Sequence, residues 1–337
     1  MLAVIEAAYG TWPGFDLTVP AIEHLRWKMA PGDGLHPKHI VILIEDQIVV
    51  SRLRWQNHIQ IGGHTYLNET GADLAVHPEF QGRGLARLMV DTWTPEFLAD
   101  PKASLGMVSS APEVQTMDYP DTITRPVTTW HRPFGLRPYL GVHRRLGLAQ
   151  LAQAIRVRRW ASRQPRGLPG SRIELVERFD ARVDDLWERA RPSFDVIPYR
   201  TSAYLNWRFA HPASGSPELL TLTRGDRALA YAAVKHSGTE GQLQDFLWAP
   251  DEPEALIVIL EAAAHRLRRS GAAGVTCWLP GGHRAEGALR RAGFAAVGEQ
   301  RLVVGTETRG ETPPEALEIL RDESRSIHVT MSDFDWV

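Results

Sequence analysis

Residues 71–91 read GADLAVHPEFQGRGLARLMVD, and the way this stretch folds decides the architecture around it. The apolar run Leu74-Ala75-Val76 predicts a buried strand, punctuated by His77-Pro78. Pro78 has no amide hydrogen, so the strand ends or splays there. Gln81-Gly82-Arg83-Gly84-Leu85-Ala86 then leads into an amphipathic helix with Leu85, Leu88, Met89 and Trp93 on one face. Two glycines at a strand-to-helix corner leave several backbone amides uncapped at the positive end of a helix. That is a cradle for an anion, with a pyrophosphate as its natural occupant. A P-loop is excluded because no Gly-Lys-Ser/Thr follows, and a dinucleotide fingerprint because Arg87 stands in place of the third glycine. A glycine-rich turn with no ligand is the plain alternative.

The chain has 337 residues, which predicts two domains of roughly 150 residues. A hydrophobic content of 43% suffices for well-filled cores, and a net charge of -2 gives no reason to invoke nucleic acid. The single cysteine, Cys277, excludes an internal disulfide and a Cys-rich zinc site and fits a reducing cytoplasm. No apolar run approaches the roughly 20 residues of a membrane span, and the first residues show no signal-peptide pattern. The expectation is a cytoplasmic protein, monomer or homodimer.

Working outward, Leu2 to Tyr9 predicts a short helix, and a second begins near Pro20 with Ile22, Leu25, Trp27 and Met29. Strands follow: HIVILIE from His39, a turn at Asp46-Gln47, IVVSRLRW from Ile48, and His58 to Asn68 with Gly62-Gly63 as bulge or turn. Beyond the glycine corner and its helix, SLGMVSS (Ser104 to Ser110) reads as the next parallel strand. A less regular part, rich in proline and aromatics, extends to Phe134-Gly135-Leu136. His143 to Gln164 predicts a basic amphipathic connector helix, and Arg166 to Gly170 a linker.

The order Val76-x-Pro78-x-x-Gln81-Gly82-x-Gly84-x-Ala86 resembles the acyl-CoA signature of the GNAT acyltransferase superfamily. The resemblance implies an α/β (α+β) fold: a mixed, mostly antiparallel twisted sheet flanked by helices, with a splayed central strand pair. It implies that acetyl-CoA, or another acyl-CoA, lies in that V. Its pantetheine would pair with Leu74, Ala75 and Val76, and its pyrophosphate would rest on Gln81, Gly82, Arg83, Gly84, Leu85 and Ala86.

The second half restates the first. His24-Leu25-Arg26-Trp27-Lys28 recurs in type as Tyr204-Leu205-Asn206-Trp207-Arg208, each before paired strands, the later pair being LLTLTR and ALAYAAVKH. LQDFLWAP (Leu243 to Pro250) stands where the first half has DLAVHP, followed by a helix, the strand GVTCWLP and a helix entering Gly293-Phe294. Two tandem GNAT-like domains are expected: 1–145 with the cofactor site, 146–170 as basic helix and linker, and 171–337 as a degenerate copy. Asp251-Glu252-Pro253-Glu254 replaces the glycine corner there, and acids at a helix N-terminus satisfy the dipole and repel a pyrophosphate. The Leu-x-Trp-Arg/Lys box reads as core packing with its basic residue at the surface. Together with the GADLAVHP strand (Gly71 to Pro78) and the closing VTMSDFDW, it resembles a bacterial group of tandem GNAT-like proteins often associated with polysaccharide or natural-product loci.

The family transfers an acyl group from CoA directly to an amine, and usually supplies the leaving thiolate's proton from a tyrosine shortly before a Gly-Phe turn. Here His131 stands at that position, with Tyr119 and Tyr139 as alternatives. Asp73 and Glu69, on or before the splayed strand, are the candidate bases, and Asp73 should share a face with Ala75. The backbone amide of Val76 or a neighbour would polarise the thioester carbonyl. Asp333 and Asp335 are either an acceptor-binding pair or an exposed acidic tail. Cys277 reads as a buried strand thiol, His77 as a turn residue, and the scattered histidines argue against a metal site. The expected activity is N-acyl, most simply acetyl, transfer to an amine of a small molecule, sugar or peptide. Alternatives on the same pocket are acyl-CoA decarboxylation or hydrolysis, O-acyl transfer, and a non-catalytic CoA- or peptide-binding module. Aminoacyl transfer from tRNA, as in tandem GNAT-like proteins of the FemABX type, is a further reading.

Overall fold

The computed structural model describes residues 1–13, 17–32, 35–89, 103–108, 122–135, 167–305 and 314–333. The expected helix from His143 to Gln164 lies outside the described residues, as do Tyr119, Tyr139 and Asp335.

Helices α1 (Leu2–Tyr9) and α2 (Ala21–Lys28) come first and bury Val4, Ile5, Leu25 and Trp27. Strands β1 (Lys38–Ile44), β2 (Gln47–Ile61) and β3 (His64–Val76) form an antiparallel meander. Its turns are tight because consecutive residues take left-handed backbone: Glu45 and Asp46 in the first, Gly62 and Gly63 in the second. The expected separate strand at His58–Asn68 is therefore the end of β2, a two-glycine turn and the start of β3. Strand β4 (Ala103–Val108) lies parallel to β3, as the strand–helix–strand order required.

The stretch expected to be irregular contains β5 (Thr122–Pro133). Its prolines disguised it, yet both sit where the ladder tolerates them. Pro126 lies just beyond the β11 pairing, which ends at Val127, and Pro133 is the last residue.

The second half contains β6 (Ser171–Val176), α3 (Ala181–Ala190), β7 (Val196–Pro198) and α4 (Ser202–Phe209). A second meander, β8 (Glu218–Arg224), β9 (Arg227–Ser237) and β10 (Glu240–Trp248), is followed by α5 (Pro253–Arg269) and β11 (Gly274–Pro280). The chain continues through α6 (Glu286–Arg291), β12 (Ala295–Gly305) and α7 (Pro314–Arg321) to a 3-10 turn at Met331–Asp333.

The described strands join into one sheet in the order β1-β2-β3-β4-β12-β5-β11-β10-β9-β8-β6, with β7 attached to β2. From β1 to β8 this order is the same from either end once each strand is exchanged for its counterpart in the other half. The closing strands have changed places: β12 pairs with β4, β5 pairs with β11, and β5 and β12 pair with each other. The largest core lies in the second half, where α5 buries Ala255 through Ala264 on the sheet.

The two Trp boxes meet across this arrangement. Trp27 Nε1 donates to the Trp207 carbonyl at 2.8 Å, Trp207 Nε1 donates to the Trp27 carbonyl at 3.3 Å, and the rings stack at 5.3 Å. Their basic residues are not at the surface, contrary to expectation. Lys28 is ion-paired with Asp73, and Arg208 lies over the Trp27 and Trp55 rings and donates to the Ser332 carbonyl. A buried cation needs such partners, which local sequence does not reveal.

Candidate active site

Two parallel strand pairs come apart along their length. The β3–β4 ladder runs from Leu67↔Ala103 to Thr70↔Met107, after which, among the described residues, β3 continues to Val76 against β2 alone. The β10–β11 ladder ends at Gln242↔Thr276, while β10 continues to Trp248. At about 3.3 Å per residue, Gly71 to Val76 offers roughly 20 Å of open edge.

The polarity of that edge follows from the register. His77 N–H returns to the Val49 carbonyl, so Ala75 also turns its main-chain groups toward β2, while Leu74 and Val76 turn theirs into the fork. Both fork-facing carbonyls are met by side chains. The Tyr9 hydroxyl donates to Leu74 O, and the Gln81 amide donates to Val76 O at 3.1 Å. Above Thr70, no described strand pairs with the N–H groups on this edge.

Asp73 and Ala75 share the face covered by α1 and α2, whereas Leu74 and Val76 pack with Phe80, Leu85 and Met89 on the other. A bulge opposite Arg52 places Asp73 in left-handed backbone, φ 50°. Its Oδ2 pairs with Lys28 Nζ at 2.8 Å, with side-chain exposures of 7% and 6%, and its Oδ1 accepts from Trp12 Nε1 at 2.7 Å. Both oxygens of the expected base are thus engaged. Glu69 stands opposite Gly106 in the closed part of the fork, and its side chain lies outside the described ones.

Beyond Val76, His77 serves as a turn residue: its Nδ1 accepts from Glu79 N–H, starting a 3-10 turn at Pro78–Phe80. Arg83 is laid over the Phe80 ring at 4.8 Å and donates to the Glu79 carbonyl at 2.9 Å. Gly82 and Gly84 have φ of 74° and 75°, and an added Cβ at either would meet nothing within 4 Å. The left-handed backbone, not crowding, is what calls for glycine here. Helical backbone begins at Leu85, and Leu88 N–H returns to Gly84 O at 2.9 Å. The amides of 82–86 thus sit at a helix N-terminus, at the end of the open edge.

His131 is not brought to this corner. Two strands, β4 and β12, intervene between β3 and β5, a separation of roughly 14 Å or more across the sheet. Its ring lies over Gly274 and its Nδ1 contacts Thr276 Oγ1 at 3.1 Å, while burial holds its pKa below the usual histidine value. The strand exchange explains the displacement, because β5 is carried into the other half's sheet.

Chain from near the C-terminal end of the described residues lies against the second fork. The Met331–Asp333 turn touches both β10 and β11. Asp245, the counterpart of Asp73, pairs with Arg200 at 2.8 Å and accepts from Tyr231 and Thr330, both at 2.9 Å. Arg200 also binds Asp333, so Asp333 is a buried ion-pair partner rather than part of an exposed tail. Beside them His283 Nε2 contacts His328 Nδ1 at 2.9 Å, and burial pushes His283 down to about 3 and His328 well below its ordinary value. At the replaced corner, Asp251 pairs with Arg227 and Arg189, and Glu252 with Arg224. The Cys277 thiol is buried in β11, and burial raises its pKa.

Sequence reasoning missed Tyr9, Trp12 and Lys28. Only Lys28 left a signal, as the basic end of the repeated box. A separate cavity of about 840 Å³, lined by Gln60, Arg191, Phe194, Glu315 and Asp322 among others, lies by the Gly62-Gly63 turn at the opposite end of β3 from the fork.

Solved structures with a similar fold include acyltransferases and a probable acyltransferase. Saccharomyces cerevisiae N-myristoyltransferase, solved with myristoyl-CoA and inhibitors, superposes with a TM-score of 0.62 at 11% identity, over 97% of this chain and 82% of its own. A conserved Enterococcus faecalis V583 protein, described as a probable N-acyltransferase, gives 0.61 at 12% over 91% and 69%. A GCN5-related N-acetyltransferase from Anabaena variabilis gives 0.59 at 11%, again over 91% and 69%. No family model matches the sequence, and a comparison with curated proteins found no match. The fold is therefore GNAT-like, a mixed α/β architecture with flanking helices.

Proposed function

We propose that the chain is an acyl-CoA-dependent N-acyltransferase, acetyl-CoA being the simplest donor and an amine of a small molecule, sugar or peptide the acceptor. The observation that carries this reading is the open edge of β3 leading directly into the left-handed Gly82–Gly84 corner at a helix start. On this reading Leu74 to Val76 hold the pantetheine, and the amides of Gln81 to Ala86 hold the pyrophosphate. The fork-facing N–H of Leu74 or Val76 donates to the thioester oxygen as it gains charge. The amine nitrogen bonds to the carbonyl carbon, the C–S bond breaks, the nitrogen gives up a proton to solvent, and the thiolate takes one up.

Asp73 then positions the bulge and does not act as the base, since Lys28 and Trp12 hold both its oxygens. Residues 171–337 form the half that has given up the cofactor, a reading supported by the Met331–Asp333 turn against both arms of the second fork and by its paired acids.

The test is thermal unfolding with acetyl-CoA, CoA and aminoacyl-tRNA. Acetyl-CoA at a hundredfold excess over its Kd should add about 2.7 kcal/mol, a shift of a few degrees. Gly84→Asp should abolish that shift. An unshifted wild-type transition with acetyl-CoA and CoA would overturn the proposal.

A further inference from the structure

We propose that Tyr9 is a positioning residue for the acyl group, acting through the Leu74 peptide; this rests on the cofactor reading above. Leu74 and Val76 are the two residues of the splayed strand whose main-chain groups face the fork. Each carbonyl is already met, Leu74 O by the Tyr9 hydroxyl and Val76 O by the Gln81 amide. What the edge then offers is its N–H groups. A bare edge offers donors and acceptors alternately and takes any extended peptide. An edge with capped carbonyls favours a ligand that brings carbonyl oxygens, as an acyl-pantetheine arm does at its thioester and its amides.

The two caps have different reach. Gln81 sits on the corner and covers Val76, next to the pyrophosphate cradle. Tyr9 comes from the end of α1 and covers Leu74, two residues deeper in the fork and directly after the left-handed Asp73. Without the Tyr9 hydroxyl, the Leu74 carbonyl would present an uncapped acceptor beside the N–H that must meet the acyl oxygen, and two acceptors would face each other. Tyr9 thus tunes the fork for the acyl carbonyl, and Gln81 for the pantetheine common to every CoA species. Tyr9 is 51% exposed, so replacing its hydroxyl leaves the core unaltered.

The experiment is calorimetric titration of wild type, Tyr9→Phe and Gln81→Leu with acetyl-CoA, free CoA and adenosine 3′,5′-bisphosphate. Tyr9→Phe should lower the acetyl-CoA to CoA affinity ratio roughly fivefold, the worth of one hydrogen bond, and leave the bisphosphate unchanged. Gln81→Leu should weaken acetyl-CoA and CoA alike and keep the ratio. An unaltered ratio in Tyr9→Phe, or an equal loss for all three probes, overturns the role of Tyr9 while the cofactor reading stands. Wild type that binds none of the three removes the cofactor reading itself, and this inference with it.

Discussion

Replacing Lys28 by methionine keeps most of the stem and removes the ammonium, which sits 2.8 Å from Asp73 with both side chains almost wholly enclosed. The carboxylate then stays buried without its ammonium partner, still accepting from the Trp12 indole. Breaking one partner out of a buried pair costs about 3–5 kcal/mol, against a total stability of about 5–15 kcal/mol for a typical domain. Asp73→Asn should cost a similar amount by taking the countercharge from the buried ammonium. Asparagine tolerates the left-handed φ of 50° and can still accept from Trp12, so the backbone bulge should survive. The double variant should therefore lose only about 1–2 kcal/mol, far less than the sum of the singles. Urea unfolding of all four corners, followed by tryptophan fluorescence, measures the coupling. Single variants that each cost under about 1 kcal/mol, or a double variant whose loss equals the sum, would refute this account of the pair. On the proposed acyltransferase reading, turnover retained by the double variant would show in addition that Asp73 takes no proton.

The buried histidines make the fold acid-sensitive. Burial holds His24 and His283 near 3, below their unfolded value of about 6.5, so the neutral rings are favoured by folding. Their contribution is complete above the unfolded value and is lost progressively as pH falls toward 3, at up to about 1.4 kcal/mol per pH unit for each ring. Urea midpoints between pH 7 and 4 should fall with that sign, and His283→Phe should flatten the slope; a flat wild-type profile would contradict it. Trp207→Phe keeps a ring against Trp27 but removes the N–H of the reciprocal pair, and should cost about 1–2 kcal/mol in the same unfolding assay.

The strand, the turn and the glycine corner were legible because their signals are local, whereas Leu88, expected on the packed face of the following helix, is exposed. The left-handed glycines, the strand-ending proline and the start of a helix at Leu85 all lie within about twenty residues of sequence. The face shared by Asp73 and Ala75 follows from strand alternation alone. The fate of the Asp73 carboxylate does not, because its partner lies 45 residues upstream on another element. The closing strands were hidden for a similar reason. Pro126 and Pro133 masked β5 locally, and nothing in a short window records that its neighbours are β11 and β12. His131 was misplaced as a consequence: the position before Gly135 was legible, but not the half of the molecule to which the strand is delivered. Asp333 became a buried partner of Arg200 through contacts more than 130 residues apart in sequence.

The crossing of β5 and β12 binds the fates of the halves together. A gene cut between them would strip β4 of its neighbour and leave β11 with a bare flank, each fragment carrying the finishing strand that the other lacks. Neither half can therefore be removed without exposing a strand edge in the one that remains. Substitutions in either half would be tolerated only as far as the shared β5–β12 seam allows.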